Sequence, residues 1–125
     1  LGIDELRDRF IGNCSAGMKQ RLALACAFAS GHDIVILDEP LNWLDPVAAF
    51  DLNQALRAMV DDGLILITAL HDLSVLARNC DAGLMMSAGK ATLHWDKTIL
   101  SEAATNFEAF QKLTIESLRA GVRAS

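Results

Sequence analysis

The chain has 125 residues and a net charge of −5, with 52% hydrophobic and 22% charged residues. That balance excludes an intrinsically disordered chain and gives enough apolar surface to bury one domain-sized core. The acidic balance offers no basic face for nucleic acid, and no apolar run is long enough to cross a bilayer.

The first residue is Leu1, inside sequence that already has structured character, so the chain reads as a fragment; no charged-then-apolar leader suggests secretion. Cys14, Cys26 and Cys80 lack metal-type spacing and are expected to be buried or semi-buried free thiols of a reducing cytosol. Ser15 is placed to cap a helix whose strong helix formers run from Met18 and end near Gly31. The β-branched run Asp33 to Asp38 predicts a strand buried on both faces, as in a parallel sheet. Pro46 opens a second helix with helical spacing of Val47, Phe50, Leu52, Leu56 and Val60, and Gly63 stops it.

Leu64 to Thr68 predicts a second buried strand, and a short helix follows from about Asp72 to Asn79. Gly83 to Met86 and Ala91 to His94 flank Ser87-Ala88-Gly89-Lys90, a hairpin signature. The remainder from Ile99 reads as helical with a polar, small-residue tail. Strand-helix-strand alternation implies an α/β layer with right-handed crossovers.

Chemistry concentrates where acids follow apolar strands. Asp38 and Glu39 stand at the C-terminal end of the first strand, where open α/β sheets bind ligands. One carboxylate there can hold Mg²⁺ beside phosphate oxygens, and the next can orient or deprotonate an attacking water. A strand that ends in solvated acids would look the same. Ser15-Ala16-Gly17 at a helix start suits a phosphate, and equally suits an ordinary cap. His71 follows the second strand, where an imidazole can meet a γ-phosphate or the attacking water, although a lone histidine is more often structural.

Taken together and in order, these residues resemble the C-terminal half of the ABC-type ATPases, the nucleotide-binding subunits of ABC transporters. Cys14-Ser15-Ala16-Gly17-Met18 falls where the family has Leu-Ser-Gly-Gly-Gln, followed by a matching Lys19-Gln20-Arg21. Ile34 to Glu39 resembles the Walker B strand, Leu37-Asp38-Glu39-Pro40 matches outright, Asn42-Trp43-Leu44-Asp45 falls at the D-loop and His71-Asp72-Leu73 at the switch histidine. The likeness runs from about Asn13 to Phe110.

The resemblance implies a partial α/β, parallel-sheet P-loop NTPase-like fold, with residues 1–125 as the C-terminal part of one ATP-binding domain. It implies ATP and Mg²⁺ as cofactors, with Asp38 helping to bind the Mg²⁺, Glu39 polarising water and His71 contacting the γ-phosphate. Ser15, Ala16, Gly17 and Met18 would meet ATP held by a second ATP-binding subunit in a head-to-tail dimer, and Asp45 would couple the two sites. The other implied partners are transmembrane permease subunits, with no nucleic acid. The implied location is cytoplasmic, peripheral on the inner face of the cell membrane.

The sequence also departs from the pattern. It has no Gly-x-x-x-x-Gly-Lys-[Ser/Thr] phosphate loop, and its Gly89-Lys90 belongs to the hairpin. These residues alone are therefore expected to bind ATP poorly and not to turn over. Ala16 replaces a glycine, Met18 the usual glutamine and Cys14 the usual leucine, while Trp43 is bulky for its loop. His32 and His94 read as surface or edge histidines, and Trp95 as a hairpin residue packing on the C-terminal helices. The segment after His71 is similar to transporter subunits, and long coiled-coil soluble members of the family would not be expected to continue this way; a non-catalytic remnant with a binding or scaffolding role stands as the alternative. Thr68 to Leu73, the lead-in Ser30 to Asp33 and the tail from Ile99 to Phe110 resemble importers of iron chelates, haem or cobalamin, so ATP-driven import of such a cargo is expected, with export, which Gly17 to Arg21 resembles, as the alternative.

Overall fold

The computed structural model describes residues 3–123, with side chains as far as Ala120. It divides after Ala69 into two compact units.

The first unit opens with short 3-10 turns at Asp4–Leu6 and Ile11–Asn13. Ser15 then caps α1 (Ala16–Ala29), its hydroxyl accepting the Met18 N–H at 3.2 Å. Past the helix, Gly31 reverses the chain at φ +68, a conformation that suits a residue without Cβ. Strand β1 (Ile34–Asp38) follows, then α2 (Pro46–Asp61), whose first-turn proline has no N–H to leave unpaired. Gly63, at φ +107, ends the connection as expected. Strand β2 (Ile65–Ala69) lies parallel to β1 in the register Ile34↔Ile65 to Asp38↔Ala69.

Helix and sheet meet in one core, where Leu24 of α1 and Leu52 and Leu56 of α2 cluster with Val35 and Leu37. Burying each such leucine contributes about 1.5–3 kcal/mol. The expectation of strands buried on both faces does not hold. Val35 and Leu37 are buried, but Ile36 is 73% exposed, and Ile34, Ile65 and Ile67 are each more than half exposed. An apolar run marks a strand that can be buried on both faces, but only helices supply the cover. Among the described residues, α1 and α2 line the Val35–Leu37 side alone.

The second unit comprises α3 (Leu73–Asn79), β3 (Gly83–Ser87), β4 (Lys90–Trp95), α4 (Lys97–Thr105) and α5 (Phe107–Arg123). β3 and β4 pair antiparallel, with Ser87 opposite Lys90, so the turn is Ala88-Gly89. Both turn residues have positive φ, +48 and +76. Such a turn matches the right-handed twist of the strands it joins. An irregularity between Met85 and Met86 shifts the register. Trp95 packs as expected on the C-terminal helices, its ring 5.5 Å from that of Phe110 in an edge contact, within a core of Ala77, Leu100 and Ala103. A Cβ on Gly83 would lie 2.7 Å from Leu76 Cδ1 and 3.2 Å from the Trp95 ring, so any other residue there would displace the Leu76 side chain.

The helix expected from Ile99 starts earlier, at Lys97, because the Asp96 carboxylate accepts the Ile99 N–H at 2.9 Å. It also breaks at Asn106 before α5 begins. The end of the small-residue tail lies outside the described residues.

None of the three cysteines forms a disulfide; Cys14 is buried and Cys80 half-buried, as expected, but Cys26 is exposed. Cys26 lies two residues beyond buried Leu24, about 200° around α1 and so away from the core. His32 and His94 are at the surface, as expected, and Trp43 is exposed as well. Among the described residues, no helix is long and apolar enough to cross a membrane.

Candidate functional site

Asp38 is the last residue of β1, paired with Ala69 of β2 and exposed. Glu39 leaves the strand, and its N–H still donates to the Ala69 carbonyl at 3.1 Å. Its φ is +47, a left-handed conformation that costs a non-glycine residue about 1–2 kcal/mol. The surroundings hold it there: Pro40 is fully buried, and the Asn42 N–H donates to the Glu39 carbonyl at 3.1 Å, closing a turn. Asn42 acts a second time through its side chain, with Nδ2 donating to Glu39 Oε2 at 2.8 Å. Strain retained in this way accumulates where function requires a fixed geometry.

The loop continues through Trp43, also at positive φ (+67), and Leu44, which packs against the core of the first unit. It ends at Asp45, whose Oδ1 accepts the N–H groups of Val47 and Ala48, each at 3.0 Å. Asp45 is therefore the N-cap of α2. The Ala48 N–H above all, with that of Val47 and the charge of Arg21, holds its carboxyl below the ordinary value of 3.8, against a smaller desolvation effect.

The start of α1 packs against this same loop. A Cβ on Gly17 would lie 2.9 Å from the Trp43 carbonyl oxygen, and Gln20 Nε2 donates to the Pro40 carbonyl at 3.3 Å. Ser15 and Ala16 are exposed, and Gly17 and Met18 half-buried. Ser15 Oγ accepts from Met18, so its own O–H proton can still be donated outward. Ser15 to Met18, Asp38, Glu39 and Asp45 thus belong to one unit, with Gly17 and Gln20 in contact with the loop that runs from Glu39 to Asp45.

His71 belongs to the second unit and is exposed. It precedes Asp72, the N-cap of α3, whose Oδ1 accepts the N–H groups of Ser74 at 2.7 Å and Val75 at 3.4 Å. The Ser74 hydroxyl first, then those N–H groups and His71, lower the Asp72 carboxyl below 3.8, outweighing desolvation.

Among the described residues, no group of three or more His, Cys, Asp or Glu side chains is assembled for a metal ion. A Mg²⁺ ion at the end of β1 would thus draw its remaining ligands from phosphate and water, a donor set that suits this ion beside a nucleotide. Two contributors escape a reading of residue types. Gln20 and Asn42 stand in the motif region, but nothing in their spacing announces the contacts with Pro40 and Glu39.

The family model described as ABC transporter matches residues 1–42. The chain is 34% identical over 97 residues to an energy-coupling factor transporter ATP-binding protein of Carboxydothermus hydrogenoformans, covering 78% of this chain and 36% of that protein. It is 34% identical over 91 residues to a phosphonates import ATP-binding protein of Maricaulis maris, covering 72% of this chain and 34% of the relative. A solved ATP-binding subunit of an ABC transporter superposes with a TM-score of 0.73 at 26% identity, over 87% of this chain and 46% of the other. Over most of its length the chain is similar to the ATP-binding proteins of ABC transporters. It spans about a third of the length of these curated relatives. Its α/β fold is accordingly a partial ABC-type cassette, in which Gly89-Lys90 forms part of the β3–β4 hairpin and no phosphate loop occurs within the 125 residues.

Proposed function

We propose that residues 1–125 are the C-terminal part of an ABC-type ATP-binding domain, and that the protein they serve hydrolyses ATP to drive a membrane transporter. The observation that carries this is Glu39, held at positive φ at the end of a parallel strand with its carboxylate fixed by Asn42. A solvated strand end has no reason to sustain that strain. In this reading Glu39 accepts a hydrogen bond from the attacking water and draws off its proton, a contribution of about 10²- to 10⁴-fold in rate. Asp38 helps to hold the Mg²⁺ that neutralises phosphate charge, and His71 contacts the γ-phosphate.

Ser15, Ala16, Gly17 and Met18 present the N-terminus of α1 to ATP held by a second ATP-binding subunit, packed head to tail. Exposed N–H groups and a hydroxyl proton at a helix N-terminus suit phosphate oxygens. Asp45 sits at that interface and couples the two sites, while its cap fixes the start of α2. The assembly works in the cytoplasm, against permease subunits at the inner face of the membrane. The 125 residues alone lack a phosphate loop, so ATP binding and turnover are expected only when one is supplied.

The finer reading, import of a metal chelate, haem or cobalamin, is not supported by the relatives, which are named for energy-coupling factor transport and phosphonate import. Cargo is selected by the permease partners. In the full-length protein, Glu39→Gln is expected to abolish turnover while ATP binding persists. Hydrolysis at the wild-type rate would sink the assignment.

A further inference from the structure

The loop from Glu39 to Asp45 contains a polar side chain to which the proposed function assigns no part. We infer that Asn42 is a positioning residue for Glu39, its amide fixing the direction in which the carboxylate meets the attacking water. The inference rests on the proposed role of Glu39, and the test below separates the two.

A glutamate side chain has three rotatable bonds, so a backbone position alone does not aim its carboxylate. Here Asn42 Nδ2 donates to Oε2 at 2.8 Å, a charge-assisted bond. The donor is itself presented by a fixed loop. Behind it Pro40 is buried, and Gln20 holds the Pro40 carbonyl at 3.3 Å. Ahead of it the Trp43 carbonyl is seated against Gly17, where a Cβ would come within 2.9 Å, and Leu44 enters the core.

A bland alternative is that asparagine is simply a favoured turn residue. The backbone answers that. The turn is closed by the Asn42 N–H to the Glu39 carbonyl, which any residue except proline supplies. The side-chain bond is additional to the turn, and it ends on the carboxylate proposed to act. An amide also suits the task because it donates at every working pH and takes no proton in exchange.

The experiment measures steady-state ATP hydrolysis and ATP affinity of the full-length protein as wild type, Glu39→Gln, Asn42→Leu, Asn42→Asp and Asn42→Gln. Leucine and aspartate preserve size but remove the donor, and aspartate adds repulsion. Glutamine keeps an amide on a longer arm. We expect kcat to fall about 10- to 100-fold in Asn42→Leu with KM for ATP little changed. Asn42→Asp should fall at least as far, and Asn42→Gln should recover part of the loss.

Wild-type kcat in Asn42→Leu overturns the inference. So do equal losses in all three Asn42 variants, or a loss of ATP affinity in proportion to kcat, since either marks a collapsed loop. If leucine prevents folding, the contrast between aspartate and glutamine decides alone. Turnover surviving in Glu39→Gln defeats the underlying reading. Turnover lost there but retained in Asn42→Leu defeats only this inference.

Discussion

Gly17 has two demands on it, and they come from different sides. In the proposed dimer its backbone would approach phosphate, while inside the first unit its missing Cβ makes room for the Trp43 carbonyl oxygen. The second demand is intramolecular and independent of nucleotide. Gly17→Ala would set a methyl 2.9 Å from that oxygen, with backbone on both sides of the contact, so the loop or α1 must move. We predict a destabilisation of about 1–3 kcal/mol, read from the urea midpoint without nucleotide. An unshifted midpoint would show that the contact yields at no cost. Activity alone would not distinguish the two demands. Ala16 marks the same logic from the other side: it is exposed, so its methyl meets no core and matters only for what approaches from outside.

Four helix starts are set by side-chain caps: Ser15 for α1, Asp45 for α2, Asp72 for α3 and Asp96 for α4. The caps make a prediction about acid. Asp45 and Asp72 are held below 3.8, chiefly by the Ala48 N–H and the Ser74 hydroxyl respectively. A lowered value in the fold means that, below 3.8, the unfolded chain binds protons more readily than the folded one. Their contribution is therefore complete above 3.8 and lost as pH falls through the lower, folded values. Both groups face solvent, so the effect is modest. Replacing both with Asn, which caps without titrating, should flatten the fall of the urea midpoint between about pH 5 and pH 3. The same slope in the variant would contradict the assignment.

Elements were legible to different degrees, for physical reasons. Strands β1 and β2, the Pro46 helix start and the Gly89 turn are written in local residue types, and they stand where expected. What covers a strand is not local. The isoleucines of β1 and β2 promise burial on both faces, yet one face is open among the described residues. The early start of α4 depended on reading Asp96 as a cap, and its break at Asn106 has no local signal as clear as glycine or proline.

At the scale of the molecule, family likeness carried further than geometry could. Ser15, Asp38-Glu39, Asp45 and His71 are separately ambiguous, and their order along the chain made them a pattern. Residue types could not reveal the positive φ of Glu39 or the amide that holds its carboxylate, because both arise from a turn that folds back on its own strand end. The exposed Ile34, Ile36, Ile65 and Ile67 belong to the same scale: an apolar face of this kind normally meets another surface. In the proposed function, Glu39 of one subunit completes hydrolysis of an ATP that Ser15 and Gly17 of a second subunit help to enclose. The most direct measurement is sedimentation of the full-length Glu39→Gln protein with Mg-ATP and with Mg-ADP. A persistent dimer is expected with ATP and dissociation with ADP, while wild type passes through the dimer only transiently. Identical sedimentation with both nucleotides, or a dimer equally long-lived in wild type, would contradict it.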